Sequence, residues 1–139
     1  MRNSHPIMLI ENNPLEAMRV RRALEALSAR CLIAHSTDGE EALIYLRNSN
    51  NKKPCLILLN LDMPKMSGVD FLQTLKEDKA LRSIPVVVLS TSGSSENVSK
   101  TYQLGVAGFI VKPHDDEGFE KTIDSINHYW KLSEVPCDN

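Results

Sequence analysis

Long hydrophobic runs are missing from this sequence of 139 residues: stretches such as Cys55–Leu59 and Pro85–Leu89 hold about five apolar residues, against the roughly 20 that a bilayer-spanning helix requires. No membrane partner is expected. An excess of positive charge is missing too. Sixteen Lys and Arg stand against 18 Asp and Glu, for a formal net charge of −2, and the basic residues are scattered rather than striped, which argues against nucleic acid as a partner. Cysteine is sparse, and Cys31, Cys55 and Cys137 are odd in number and far apart, so neither a disulfide framework nor a zinc-binding spacing is present. They are expected to be reduced thiols, with Cys31 and Cys55 buried in strands. The N-terminal stretch has about four consecutive apolar residues before Glu11, too few for a signal peptide, so a cytoplasmic location is expected. Also absent are the glycine patterns of dinucleotide and P-loop sites, and any Ser, Cys or His nucleophile constellation. An enzyme is not expected. His5, His35, His114 and His128 are dispersed, without ligand spacing.

What remains is the composition of one globular domain, 42% hydrophobic and 24% charged. Short apolar runs alternate five times with segments whose apolar residues recur every three or four positions, the pattern of parallel strands joined by crossover helices. The strand candidates are Ile7–Ile10, Cys31–Ala34, Cys55–Leu59, Val86–Leu89 and Gly108–Val111. A first helix begins at Pro14 with Asn13 as its cap and turns Ala17, Val20, Leu24 and Leu27 inward. A second spans Gly39–Arg47 behind Asp38 with Ala42, Leu43 and Leu46 inward; a third spans Gly68–Glu77 behind Ser67 with Val69, Leu72 and Leu75 inward. Gly68 is expected to permit a tight turn before that helix. The fourth, Glu96–Leu104, has only Val98, Tyr102 and Leu104 to bury and ends at Gly105, a natural left-handed terminator. A fifth, Asp116–Leu132, turns Phe119, Ile123, Ile126 and Trp130 inward. Residues 1–132 form one domain on this reading, and 133–139 a short tail that leaves no room for a DNA-binding effector.

Ligands of an open parallel sheet bind beyond the carboxyl ends of its strands. The residues placed there are Glu11 and Asn12, then Asn60 to Asp62 with Met63-Pro64, then Ser90 and Thr91, then Lys112-Pro113. Carboxylates, amides, hydroxyls and one lysine at one edge have the chemistry of a small anion-and-metal site.

The strings LILLNLDMPKMSGVDFLQTLK, IPVVVLSTSG and GVAGFIVKP, taken together, resemble the receiver domain of bacterial two-component response regulators, and in particular the stand-alone receivers that partner cyanobacterial phytochromes and similar sensor kinases. The resemblance covers nearly the whole chain. It implies an α/β fold, a doubly wound, flavodoxin-like five-stranded parallel sheet of order 2-1-3-4-5 with five helices. In that family two acids after strand one help to hold Mg²⁺, and an Asp ending strand three accepts a phosphoryl group from a kinase histidine. A Ser or Thr and a Lys then contact the phosphate. The corresponding positions are Glu11 and Asn12 for the metal, Asn60 for the acceptor, and Ser90 and Lys112 for the phosphate. Phe109 matches the family's rotamer-switching aromatic, and Lys112-Pro113 a dipeptide that is commonly cis. The surface of helix four, strand five and helix five, which here carries Tyr129 and Trp130, is where family members dock partners or a second copy.

Two expected acids are amides, and this departure shapes the functional expectation. Asn60 is neutral and cannot form an acyl phosphate by carboxylate attack. Asn12 removes a charge from the metal position, so Mg²⁺ binding is expected to be weak or lost. Asp62 lies two residues beyond Asn60, on the same face if the strand continues, and is a candidate displaced acceptor or a loop acid bonded to Lys112 or Ser90. Lys112 is expected to pair with Glu11 or Asp62, or to bond the Asn60 amide oxygen. Two readings follow. One is an interaction module that works with a sensor histidine kinase, and as a homodimer through the face just named, without aspartyl phosphorylation. The other is a phosphorylatable receiver that uses Asp62.

Overall fold

The computed structural model describes residues 5–27, 32–63 and 65–133. In chain order the elements are β1 (Ile7–Ile10), α1 (Pro14–Leu27), β2 (Ile33–Ser36), α2 (Gly39–Arg47), β3 (Leu56–Leu59), α3 (Gly68–Glu77), β4 (Val86–Ser90), α4 (Ser95–Gln103), β5 (Gly108–Val111) and α5 (Asp116–Leu132). The strands form a parallel sheet of order β2-β1-β3-β4-β5.

The pleat explains why these apolar runs are nearly continuous. Successive side chains point to opposite faces, and both faces are covered. Met8, Ile10, Ile57, Leu59, Val86 and Val88 pack on one side against Leu43 and Leu46 of α2 and Phe71, Leu72 and Leu75 of α3. Leu9, Leu56, Leu58, Val87 and Leu89 pack on the other against Val20 and Leu24 of α1 and Phe119, Ile123 and Ile126 of α5. Cutting any of the fully buried strand leucines to Ala would cost about 2–5 kcal/mol, a large share of a domain's stability. The helix starts follow their caps. Backbone N–H groups at Leu15, Glu41 and Asp70 donate to the side chains of Asn13, Asp38 and Ser67. Gly105 ends the α4 segment with φ of +90°.

Three expectations change. Strand β2 runs to Ser36 instead of stopping at Ala34, because pairing with β1 (Ile7 with Ile33, Ile10 with Ser36) sets its register rather than its apolar run; Cys31 lies outside the described residues. Cys55 is half-buried and precedes β3, its thiol 3.9 Å from the His5 carbonyl oxygen. Helix α4 runs Ser95–Gln103 and buries Thr101, while Tyr102 is half exposed. The tight turn expected before α3 owes its glycine to close approach: a Cβ on Gly68 would lie 2.7 Å from the Leu61 Cα and 2.9 Å from the Asn60 carbonyl oxygen. That approach lets the Gly68 N–H donate to the Leu61 carbonyl at 3.0 Å and seats α3 at the end of β3. No described helix is long and apolar enough to cross a membrane.

Candidate functional site at the carboxyl edge of the sheet

Because the strands are parallel, their ends deliver Glu11, Asn60, Ser90 and Lys112 to one edge. The order of the sheet reverses between β1 and β3, and there Glu11, Asn12, Asn60 and Asp62 meet.

Glu11 and Lys112 form the buried centre, with side chains 4% and 5% exposed. The Lys112 ammonium donates to Glu11 Oε1 at 3.1 Å and to Glu16 Oε1 at 3.2 Å. Glu11 Oε2 accepts from Asn60 Nδ2 at 3.0 Å and from the Asn13 N–H at 3.2 Å. Even the Glu11 backbone is engaged, since His35 Nε2 donates to its carbonyl oxygen at 2.9 Å. An ion pair taken out of water is tolerable only when its remaining hydrogen-bonding capacity is met, and here it is. No buried side-chain nitrogen or oxygen among the described residues lacks a partner.

Asn60 is half-buried, and its amide orientation follows from its surroundings. Three acceptors face it: Glu11 Oε2, Asn12 Oδ1 at 3.2 Å and the Asp62 carbonyl oxygen at 3.0 Å, so the NH₂ group must point at them. Its Oδ1 accepts from the Asp62 N–H at 3.4 Å. Asp62 thus joins through its backbone alone. Its side chain is exposed and makes no hydrogen bond or ion pair among the described residues, which corrects the expected bond to Lys112 or Ser90. Of the partners foreseen for Lys112, Glu11 is realised, and Asp62 and the Asn60 amide oxygen are not.

Ser90 is buried at the end of β4, where its hydroxyl donates to the Ser92 carbonyl at 2.6 Å. Phe109 on β5 is half-buried and packs toward α2 and α3; it also lies under the β4–α4 loop, 3.4 Å from where a Cβ on Gly93 would stand. The Lys112–Pro113 peptide is trans.

Glu16 was not foreseen. Asn13-x-x-Glu16 reads as a capping box, in which the acid reaches back to the cap's own N–H. Here Glu11 takes that N–H, and Glu16 is free to reach Lys112. Arg19 sits behind it, 3.9 Å from Glu16 Oε1 and 3.3 Å from Asp116 Oδ1, with its guanidinium 4.0 Å above the Phe119 ring. The first turn of α1 is thereby tied to the start of α5.

As a metal site the cluster is poorly supplied. Mg²⁺ asks for oxygen ligands, carboxylates above all, at about 2.0–2.1 Å. The one buried carboxylate at the β1–β3 junction already has both oxygens engaged, and the Asn12 amide oxygen and the Asp62 backbone carbonyl beside it are neutral and accept from Asn60. These residues do not fit the ion.

Comparison with known proteins agrees with this fold. A family model described as the response regulator receiver domain matches residues 7–124. The chain is 37% identical over 127 residues to the probable methanogenesis regulatory protein FilR2 of Methanothrix harundinacea, covering 89% of this chain and 82% of that protein. It is 30% identical over 128 residues to the response regulator Rcp1 of Synechocystis, covering 89% and 87%. Among solved structures, the phosphorylated cyanobacterial phytochrome response regulator RcpA superposes with a TM-score of 0.88 at 33% identity, over 95% of this chain and 99% of that one. The Mn²⁺-bound form of Rcp1 superposes with a TM-score of 0.87 at 28% identity, over the same shares. With the sheet order, the polar edge and the sequence match in accord, the chain belongs to the response regulator receiver domains of two-component signalling.

Proposed function

We propose that this receiver acts through protein–protein contacts without conventional aspartyl phosphorylation, and that it is not itself an enzyme. The observation that carries the reading is the bond from Asn60 Nδ2 to Glu11 Oε2, made while Glu11 holds Lys112. A phosphoacceptor carboxylate is needed where this amide stands, and the amide is a hydrogen-bond donor already spent on the neighbouring acid. Charge adds to this. Glu11, Glu16 and Lys112 leave the centre with one net negative charge, which repels an incoming phosphoryl group, and the donors lack the character to hold Mg²⁺ against it. Asp62 is exposed and displaced, whereas phosphoryl transfer demands near in-line placement.

The relatives described as phytochrome response regulators support a phytochrome-like sensor histidine kinase as the partner. The face made by α4, β5 and α5 exposes Tyr102, Val111 and Tyr129, aromatic and aliphatic anchors suited to a partner or to a second copy of the chain.

The test is covalent labelling. Purified protein incubated with Mg²⁺ and acetyl phosphate, or with a competent histidine kinase and ATP, should stay unlabelled, and the Asn12→Asp, Asn60→Asp double variant should become labelled. Label on the parent overturns the proposal, and its disappearance in Asp62→Ala would identify Asp62 as the acceptor.

A further inference from the structure

The two acids on Lys112 are held very differently. Glu11 is buried, with one oxygen on Lys112 and the other on Asn60 and the Asn13 N–H. Pulling it away would take an acceptor from three donors at once, the buried Lys112 ammonium among them. Glu16 comes from the first turn of α1, its side chain is 29% exposed, and only Oε1 is engaged. If it lets go of Lys112 it can turn to water and to Arg19. Arg19 is already fixed by Asp116, by the His114 and Asp115 carbonyls and by the Phe119 ring.

The charge balance points the same way. With Glu16 in place the centre carries two negative charges against one positive; with Glu16 withdrawn, Glu11 and Lys112 form a neutral pair. Any anion that approaches Lys112 beside Asn60 therefore competes with Glu16, and Glu11 stays where it is.

We infer that Glu16 is a gate on the Lys112 ammonium, which keeps the carboxyl edge closed to phosphate-like anions until it swings out. It is a positioning residue, acting through Lys112. The inference rests on reading this edge as an anion site closed by its own side chains, and it names the side chain that closes it.

The test uses beryllofluoride with Mg²⁺, titrated into the Asn12→Asp, Asn60→Asp variant and followed by the amide signals of Ser90 and Lys112. Adding Glu16→Gln should lower the half-saturating concentration about fivefold, as expected for loss of one ion pair with a partly exposed acid. Glu16→Ala should do the same, because the gate is a charge. A merely structural role for Glu16 predicts weaker or unchanged binding in both, and that result overturns the inference. A second measurement avoids the restored background. The chain carrying Glu16→Gln alone, titrated with inorganic phosphate, should shift the Asn60 and Lys112 amide signals at concentrations where the parent is silent; equal responses overturn the gate. Covalent labelling of the parent would refute the proposed function and leave these ratios standing, so the two failures are distinguishable.

Discussion

Asn60→Asp is a nearly isosteric change that should destabilise this protein, and the structure says by how much. The amide donates to Glu11 Oε2 at 3.0 Å, to Asn12 Oδ1 and to the Asp62 carbonyl. Substitution removes a charge-assisted hydrogen bond worth about 1.5–3 kcal/mol and sets a second carboxylate against the first. At that separation like charges repel by about 5 kcal/mol at an effective dielectric of 20, and the half-exposure of position 60 reduces this several-fold. A net loss of about 3 kcal/mol at pH 7 without divalent cations is expected. With a urea m-value of about 2 kcal/mol/M, the midpoint falls by about 1.5 M. The sign of the pH dependence follows. Glu11 raises the folded-state pKa of the new carboxyl above its unfolded value, and the protonated acid can donate to Glu11 as the amide does. The deficit is therefore absent below about pH 4 and develops as pH rises through the raised pKa. Millimolar Mg²⁺ should recover much of the loss in the variant, which now has two carboxylates across the β1–β3 junction, and should leave the parent unmoved. Equal urea midpoints for parent and variant at pH 7 without Mg²⁺ would refute the hydrogen-bond assignment on which the functional proposal stands.

Lys112→Met leaves Glu11 buried without its cation and should cost about 3 kcal/mol by urea denaturation. Adding Glu11→Gln should return part of that loss, and strict additivity in this cycle would show that the pair is not coupled. Gly68→Ala places a methyl 2.7 Å from the Leu61 Cα and should cost about 1–3 kcal/mol, with a correspondingly lower melting temperature and displaced Asn60 and Leu61 amide signals; an unshifted melting curve would contradict the close approach. Burial lowers the pKa of Lys76 from its ordinary 10.5, although its ammonium reaches the Arg82 carbonyl at 3.1 Å. Folded protein thus sheds this proton first, and stability rises with pH from the lowered pKa up to 10.5. Lys76→Met should flatten that alkaline rise in a series of urea midpoints, and an unchanged slope would refute the assignment.

The layers of the fold were legible because burial on both faces of a parallel sheet leaves a compositional mark: Cys55–Leu59 and Val86–Leu89 are apolar without interruption, and the intervening helices carry one apolar stripe each. The errors fall where a partner outweighs local composition. His35 and Ser36 are polar and read as loop, yet the open edge of β1 recruits them into β2. Tyr102 is large and amphipathic and reads as core, yet the α4 turn that faces inward offers room for Thr101, whose hydroxyl satisfies itself on the Asn97 and Val98 carbonyls. At the site, strand-end positions were legible from the rule that parallel strands present their carboxyl ends together. The Glu11–Lys112 pair was among the partners foreseen, but the part played by Glu16 was not, because it depends on which acid reaches first. Glu11 takes the Asn13 N–H that a capping box would give Glu16, and one hydrogen bond redirects Glu16 to Lys112.

That rearrangement bears on how a signal could reach the docking face. In this chain the cluster around Asn60 and the elements near α4 share no side-chain hydrogen bond among the described residues: Ser90 turns its hydroxyl onto the Ser92 carbonyl, and Lys112 turns its ammonium toward α1. What joins them is ladder backbone, the Lys112 N–H donating to the Ser90 carbonyl at 2.7 Å. The α4–β5 surface, in contrast, is tied directly to its own surroundings. A Cβ on Gly93 would lie 2.8 Å from Val111 Cγ2 and 3.4 Å from Phe109, so the loop that starts α4 rests on two β5 side chains, one of them exposed on the face with Tyr102. Exposed Val111 thus links the surface to the β4–α4 loop by direct packing, without passing through Asn60. Helix α4 beside this loop buries only Thr101 and is weakly anchored. Under the proposed function, this α4–β5 surface is the route left for a partner to act on, because Asn60 and Glu11 occupy the acceptor edge.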